Sequence, residues 1–118
     1  MESHKKQILL RDAGRCVYCG RSLLQDQESY LSLTIDHLIP KKENDASHVQ
    51  TTVHYIHNLE NKVLSCRNCN ALKGDYIPEG ADLSEFPEHR EAYLNAIRKK
   101  IAAKRAHALQ EFLEAVIA

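Results

Sequence analysis

Two Cys-x-x-Cys pairs constrain this chain more than any other feature. The first pair is Cys16 and Cys19, and the second is Cys66 and Cys69. This spacing places two thiolates on one side of a tight turn, and two such turns supply the four ligands of a tetrahedral zinc ion. Because four protein ligands leave no position for water, we expect the zinc to be structural and any catalysis to lie elsewhere.

Other uses of the cysteines must be weighed against a zinc site. They are redox-active pairs, one metal-bound pair beside a buried pair, or four thiols in an apolar core. A scaffold of two disulfides is disfavoured, because no apolar stretch follows the charged residues 1–6. We therefore expect no secretory signal and a cytoplasmic, reducing location.

Size and charge narrow the possible classes further. The 118 residues fit one domain, or one core with an appended helix. The chain has 16 basic and 16 acidic residues, which excludes a uniformly basic surface for nucleic acid, so that any basic patch must be local. Residues 115–118 are the longest apolar run, far short of the roughly 20 residues that span a bilayer. We expect no membrane partner.

The pattern between the termini predicts short elements. A helix is expected over about residues 4–12, and Gly20 suits the positive φ of a tight turn in the first knuckle. Leu31, Leu33 and Ile35 alternate with polar residues, which predicts a strand with one buried face that ends before Pro40. A long polar loop is expected over 41–57, and a short helix over 68–73 should end at Gly74.

The C-terminal residues have a strong helical pattern. Ser84 is a suitable N-cap and Pro87 suits the first turn. One face carries the apolar residues Phe86, Tyr93, Leu94, Ile97, Ile101, Ala108, Leu109, Phe112 and Val116. A helix of some 30 residues would be about 45 Å long, longer than a small domain is wide. The helix should therefore break or pack on a second copy, and we predict a homodimer through Ile97, Ile101, Leu109 and Phe112.

A set of polar residues lies inside and beside the cysteine bracket at fixed spacings. Asp36 and His37 precede Pro40, Asn61 lies five residues before Cys66, and Asn70 directly follows Cys69. Each residue alone is weak evidence, because single histidines and loop asparagines are common in surface positions and turns. Their joint pattern resembles the HNH nuclease family in its zinc-bracketed form, over about residues 11–75.

The resemblance implies an α+β fold of the ββα-metal type, stapled by a four-cysteine zinc site. In that fold Asp36 and His37 end the first strand of a hairpin, and Asn70 opens the helix opposite. We accordingly predict a nuclease core over residues 1–78 and a helical extension over 79–118. The family name implies a histidine at the last site position, where this chain has Asn70. Its amide oxygen favours Mg²⁺ or Mn²⁺ over softer ions.

The resemblance also implies a role for each site residue. Phosphodiester hydrolysis needs an activated water, and a neutral imidazole suits that task, so His37 would be the general base. Asp36 and Asn70 would hold the catalytic Mg²⁺ or Mn²⁺, which prefers few protein oxygens and several waters. Asn61 would brace the loop so that a backbone carbonyl orients the His37 ring.

Basic residues near this site are candidates for phosphate contacts. They are Lys41, Lys42, Arg67 and Lys73. The basic run over 98–105 predicts either a solvated helix face or a surface that follows a nucleic-acid backbone. His48, His54 and His57 are expected to be solvent-exposed loop residues rather than ligands or DNA contacts. Tyr18 and Tyr76 are expected to pack against the knuckles.

The sequence thus predicts a metal-dependent DNA endonuclease, and the family resemblance implies products with 5′-phosphate and 3′-hydroxyl ends. The small size suggests a phage or bacterial setting such as a mobile element, packaging or defence. Two alternatives stay open. One is a zinc-stabilised module that binds nucleic acid without cutting it. The other is a protein-interaction domain whose C-terminal helix is the functional surface.

Overall fold

A two-stranded antiparallel hairpin organises the computed structural model, which describes residues 3–40, 57–78 and 86–117. Strand β1 spans Leu33–His37 and strand β2 spans Lys62–Cys66. Leu33 pairs with Cys66, and Asp36 pairs with Val63. This register places the end of β1, with Asp36 and His37, opposite the start of β2, and it places the second cysteine pair beside the start of β1.

In the described part of the chain, four helices and one 3-10 turn surround the hairpin. Their bounds are Ser3–Arg11 for α1, Gln27–Leu31 for α2, Leu59–Asn61 for the 3-10 turn, Arg67–Lys73 for α3 and Phe86–Ile117 for α4. The helices predicted over 4–12 and 68–73 are therefore present. Gly74 has a φ of +54° at the end of α3, as expected for a residue that ends a helix.

Helix α2 was not predicted, and it shortens the expected strand. The Asp26 carboxylate accepts a hydrogen bond of 2.7 Å from the Ser29 amide, which is an N-cap. Leu31 consequently ends this helix with its side chain 62% exposed, instead of beginning the strand. The alternation of Leu31 with Leu33 and Ile35 holds only from Leu33 onward, because the local cap stabilises a helical turn before it.

The first cysteine knuckle docks on β2 through backbone and side-chain hydrogen bonds. The Val17 amide donates to the Leu64 carbonyl at 2.9 Å, and the Leu64 amide donates to the Asp12 carboxylate at 2.9 Å. Gly20 closes the knuckle with a φ of +79° and an amide hydrogen bond to the Cys16 carbonyl. The positive φ predicted for Gly20 is therefore confirmed.

Helix α4 runs unbroken for 32 residues, about 48 Å, which accounts for most of the 51 Å long dimension of the molecule. Its first half closes the core. The side chains of Tyr93, Leu94, Ile97 and Ile101 are buried in one cluster with residues of α1, the first knuckle and β2. From 102 to 117 its residues are exposed. Ser84 and the boundary predicted at residue 79 lie outside the described residues.

The predicted homodimer interface must be corrected. Ile97 and Ile101 are 0% and 1% exposed, because they fill the core of their own chain and therefore present no surface to a second copy. Leu109 and Phe112 are 58% and 63% exposed, about two and three turns beyond Ile101 along the helix. A homodimer through these four residues has no support in the structure. None of the helices in the described ranges has the length and apolar composition needed to cross a bilayer.

Because only the first half of α4 packs in the core, substitutions there should cost more free energy of unfolding than substitutions in the second half. Ile97→Ala should lower the free energy of unfolding by about 2 to 5 kcal/mol, because it leaves a cavity in the core. Val116→Ala, at a residue 65% exposed, should change it by no more than about 0.5 kcal/mol. Urea unfolding at constant zinc concentration measures both, and equal effects would contradict the docking of α4 described above.

Candidate functional site

The four cysteine sulfurs form one cluster. Their Sγ atoms all lie within 4.8 Å of one another, and the Sγ atoms of Cys19 and Cys66 are 3.9 Å apart. A tetrahedral zinc ion with Zn–S bonds of about 2.3 Å separates its sulfurs by about 3.8 Å. All four cysteines are free thiols in the structure. The cluster therefore has the ligand type, ligand number and spacing of a structural zinc site, as predicted.

Hydrogen bonds and a basic side chain from α4 surround the sulfurs. The Cys66 Sγ accepts a hydrogen bond from the Cys69 amide at 3.4 Å, and the Arg105 guanidinium donates to the Cys69 Sγ at 3.1 Å. Without metal, burial raises the pKa of the Cys69 thiol, while the contact with that sulfur raises the pKa of Arg105. A cation at this place offsets the negative charge that four zinc-bound thiolates carry.

Several side chains of the basic run contact other parts of the chain, although most of them stay exposed to solvent. Arg98 donates to the Val17 carbonyl at 2.7 Å, and Lys104 donates to the Leu72 carbonyl at 2.7 Å. The Lys100 ammonium lies 5.3 Å from the centroid of the Tyr76 ring. Together with Arg105, these residues tie α4 to both knuckles. Both sequence interpretations of the run therefore missed its main contacts, which are within the chain.

A cleft opens beside the end of β1. It has a volume of about 280 Å³ and is lined by Ile35, Asp36, His37, Pro40, Asn70, Lys73, Gly74 and Asp75. This volume lies just below the range of about 300 to 1,000 Å³ typical of pockets for drug-sized ligands. It therefore suits a small charged group and a hydrated ion. The structure brings Asp36, His37 and Asn70 together in this cleft.

The periodicities of strand and helix explain why these residues meet. Thr34 and Asp36 share one face of β1, and Asn70 and Lys73 share one face of α3. The Asn70 amide nitrogen donates to the Thr34 hydroxyl at 3.2 Å, and the Lys73 ammonium lies 3.3 Å from the Asp36 Oδ2. The first bond leaves the Asn70 side-chain oxygen as an acceptor, which is the atom that a hard cation would use.

Asp36 is a buried carboxylate of the cleft, and two side chains contact it. It is 8% exposed, and its Oδ2 accepts a hydrogen bond of 2.5 Å from the Tyr18 hydroxyl besides the contact with Lys73. Within the described residues, its Oδ1 accepts no hydrogen bond. Burial raises the pKa of Tyr18 and the Asp36 charge acts in the same direction, so that the phenol stays a donor.

Lys73 has a different place from the one predicted. It was expected to contact phosphate, but it is 1% exposed and its ammonium donates to the His37 carbonyl at 2.9 Å while facing Asp36. The Lys73 ammonium is therefore paired with groups of the protein and is not exposed to a phosphate. Arg67 is exposed at the start of α3 and remains a candidate for a phosphate contact. Lys41 and Lys42 lie outside the described residues.

Asn61 lies behind the cleft and shapes the segment after His37. Its side-chain oxygen accepts from the Ile39 amide at 2.7 Å, its side-chain nitrogen donates to the Ile39 carbonyl at 3.1 Å, and its own carbonyl accepts from the Leu38 amide at 2.8 Å. Asn61 and Ile39 are both 0% exposed. Such a pair of side-chain bonds to one residue acts as a brace, the kind of role that the family resemblance implied.

A second histidine, His57, lies beside His37. The rings of His37 and His57 lie edge to face with centroids 6.2 Å apart, and His57 is exposed. His48 and His54 lie outside the described residues. Tyr18 is the residue that sequence reasoning missed, because it was expected only to pack. No motif spacing reveals its bond to Asp36, since the two residues belong to different elements.

Removal of zinc is predicted to unfold the protein, because a structural zinc site supplies folding free energy. A chelator at neutral pH should reduce the helical signal in far-ultraviolet circular dichroism, and added zinc should restore it. Zinc should also be lost as the pH falls, since protons compete for the thiolates. A Cys66→Ser protein that folds without zinc would overturn this prediction.

Substitution of Asn61 should destabilise the protein through unpaired backbone groups. Asn61→Ala leaves the buried Ile39 amide without its acceptor, at an expected cost of about 1 to 3 kcal/mol. Asn68→Ala, at an exposed position of α3, serves as the control and should have little effect. Thermal unfolding at constant zinc compares the two, and equal stability of both variants would argue against the brace.

Comparison with known proteins agrees with this arrangement. A family model described as HNH endonuclease matches residues 16–76, from the first cysteine to just beyond α3. No curated protein and no solved structure matches the chain. The matched segment contains both cysteine pairs, the hairpin and the cleft, and it is more than half of the 118 residues. The chain therefore belongs to the HNH endonuclease family.

Proposed function

We propose that this protein is a metal-dependent DNA endonuclease. The observation that carries the proposal is the convergence of a carboxylate, an imidazole and a side-chain amide, from Asp36, His37 and Asn70, in one small cleft. These are the groups that phosphodiester hydrolysis requires: a proton acceptor and oxygen ligands for a hard cation. The family match supports action on nucleic acid.

In this proposal each residue has a defined task. The neutral imidazole of His37 accepts a proton from a water molecule, whose oxygen then attacks the phosphorus of the scissile phosphodiester. The bond from phosphorus to the 3′ oxygen breaks, and the leaving oxygen takes up a proton from solvent, which gives a 5′-phosphate and a 3′-hydroxyl. A divalent cation such as Mg²⁺ or Mn²⁺, held by Asp36 and Asn70, would stabilise charge on the phosphate and the leaving oxygen.

The surrounding residues prepare this site. The brace from Asn61 to Ile39 restricts the backbone just after His37, and Lys73 donates to the His37 carbonyl itself. Two independent contacts thus hold the segment that carries the proposed base. Arg67, at the start of α3, would offer an exposed positive charge to the nucleic-acid backbone.

A specific observation also favours a second function. The Asp36 carboxylate is already matched by the Lys73 ammonium at 3.3 Å, so that its negative charge is balanced inside the protein. Such a balance lowers the attraction for a second cation. The second candidate is therefore a zinc-stabilised module that binds nucleic acid without cutting it. A cytoplasmic location and a role in phage or bacterial defence stay predictions in both cases.

A cleavage assay separates the two functions. Supercoiled plasmid is incubated with the zinc-loaded protein and Mg²⁺ or Mn²⁺, beside His37→Ala and the control His107→Ala. His107 is 73% exposed on α4, far from the cleft in sequence, and its loss should not change the rate. Loss of the base should slow cleavage by about 10²- to 10⁴-fold.

Two outcomes would count against catalysis through His37. If His37→Ala cuts as fast as the wild type, the base is a different group. If all three proteins are inactive but retard DNA in a gel, the binding module is the correct function. Measurement of zinc content in each protein excludes loss of the fold as the cause.

A further inference from the structure

We infer that Tyr18 is a positioning residue that couples the zinc knuckle to the catalytic cation site through Asp36. The inference rests on the proposed function, since it concerns how the proposed cation ligand is held. Tyr18 lies between the zinc-ligand candidates Cys16 and Cys19, and its hydroxyl donates to the Asp36 Oδ2 at 2.5 Å. One residue therefore connects the two candidate metal sites directly.

The backbone that carries Tyr18 is held on both sides. The Val17 amide donates to the Leu64 carbonyl of β2 at 2.9 Å, and the Val17 carbonyl accepts from the Arg98 guanidinium at 2.7 Å. The Tyr18 side chain is 7% exposed. Zinc-bound cysteines on either side would add a further restraint. The position of the phenol oxygen is therefore set by the knuckle and not by the cleft.

The contact determines which oxygen of Asp36 is available. Carboxylates rotate easily about the last side-chain bond, so an unrestrained aspartate offers either oxygen or both. Tyr18 and Lys73 both approach Oδ2, and within the described residues Oδ1 accepts no hydrogen bond. The carboxylate is thus held in one orientation with Oδ1 as the single ligand atom for the cation.

The two partners of Oδ2 differ in charge, and they should therefore have opposite effects on cation binding. The Tyr18 hydroxyl orients the carboxylate without adding positive charge, as hydrogen-bond partners of metal-ligating carboxylates generally do. The Lys73 ammonium orients the same oxygen but repels a divalent cation. Tyr18 is therefore expected to strengthen cation binding, whereas Lys73 is expected to weaken it.

Binding of Mn²⁺ tests the inference without reference to cleavage. Free Mn²⁺ is measured by electron paramagnetic resonance during titration of the zinc-loaded protein, with zinc content determined for each sample. Tyr18→Phe keeps the ring and removes only the hydroxyl. It should retain zinc and bind Mn²⁺ about 10- to 100-fold more weakly than the wild type.

Tyr76→Phe is the matched control. Tyr76 is half-buried near the second knuckle, its ring lies under the Lys100 ammonium, and its hydroxyl makes no hydrogen bond within the described part of the chain. Its loss should leave both zinc content and Mn²⁺ affinity unchanged. Lys73→Met, which lies outside the first knuckle, should instead tighten Mn²⁺ binding on the order of tenfold, because it removes a positive charge beside the ligand.

The outcomes separate this inference from the proposed function. Wild-type affinity in a zinc-loaded Tyr18→Phe protein would overturn the role of Tyr18 while leaving the cation site intact. If Tyr18→Phe loses zinc, the Lys73→Met variant decides the outcome. Unchanged or weaker Mn²⁺ binding by Lys73→Met would overturn the inference that Tyr18 and Lys73 affect cation binding in opposite directions, and tighter binding would support it. If Asp36→Asn binds Mn²⁺ as well as the wild type does, the proposed cation site fails, and the inference fails with it.

Discussion

The convergence of four sulfurs from two distant parts of the chain is the constraint on which the other contacts depend. The first pair precedes β1 and the second pair spans the junction of β2 and α3, so a shared metal ion would hold the hairpin and the helix in one arrangement. Without α4, the part from the first cysteine pair to α3 is shorter than the roughly 70 to 80 residues below which one apolar core rarely gives much stability. Helix α4 supplements the cluster, with Ile97 and Ile101 in the core and Arg105 on a cysteine sulfur.

The charge balance of the cleft is the second constraint. Burial of Asp36 would be costly without a partner, and Lys73 supplies a positive charge while Tyr18 supplies a neutral donor. The ion pair also links α3 to the end of β1, because the same ammonium donates to the His37 carbonyl. The Asp36 carboxylate therefore both stabilises the cleft and determines how strongly the cleft can bind a cation.

The sequence-based predictions succeeded where spacing alone carries the information. The cysteine pairs, the strand that ends before Pro40 and the short helix ended by Gly74 follow from local patterns, since each depends on neighbours only a few residues away. Prediction was less successful for α2, for the roles of Lys73 and Tyr18, and for the face of α4. For Lys73, Tyr18 and α4, the residue that decides the contact belongs to another element. For α2, a local N-cap outweighed the alternating strand pattern.

By itself the sequence determined the ligand types and their order: two thiolate pairs, and an aspartate, a histidine and two asparagines at the family spacings. These are local properties, because metal-binding turns and strand or helix ends are encoded by adjacent residues. Only the tertiary structure decided that Ile97 and Ile101 fill the core of their own chain, that Lys73 is an internal counter-ion, and that Tyr18 holds Asp36. The physical reason is that burial and charge pairing depend on which elements meet, and that is set by packing of the whole chain.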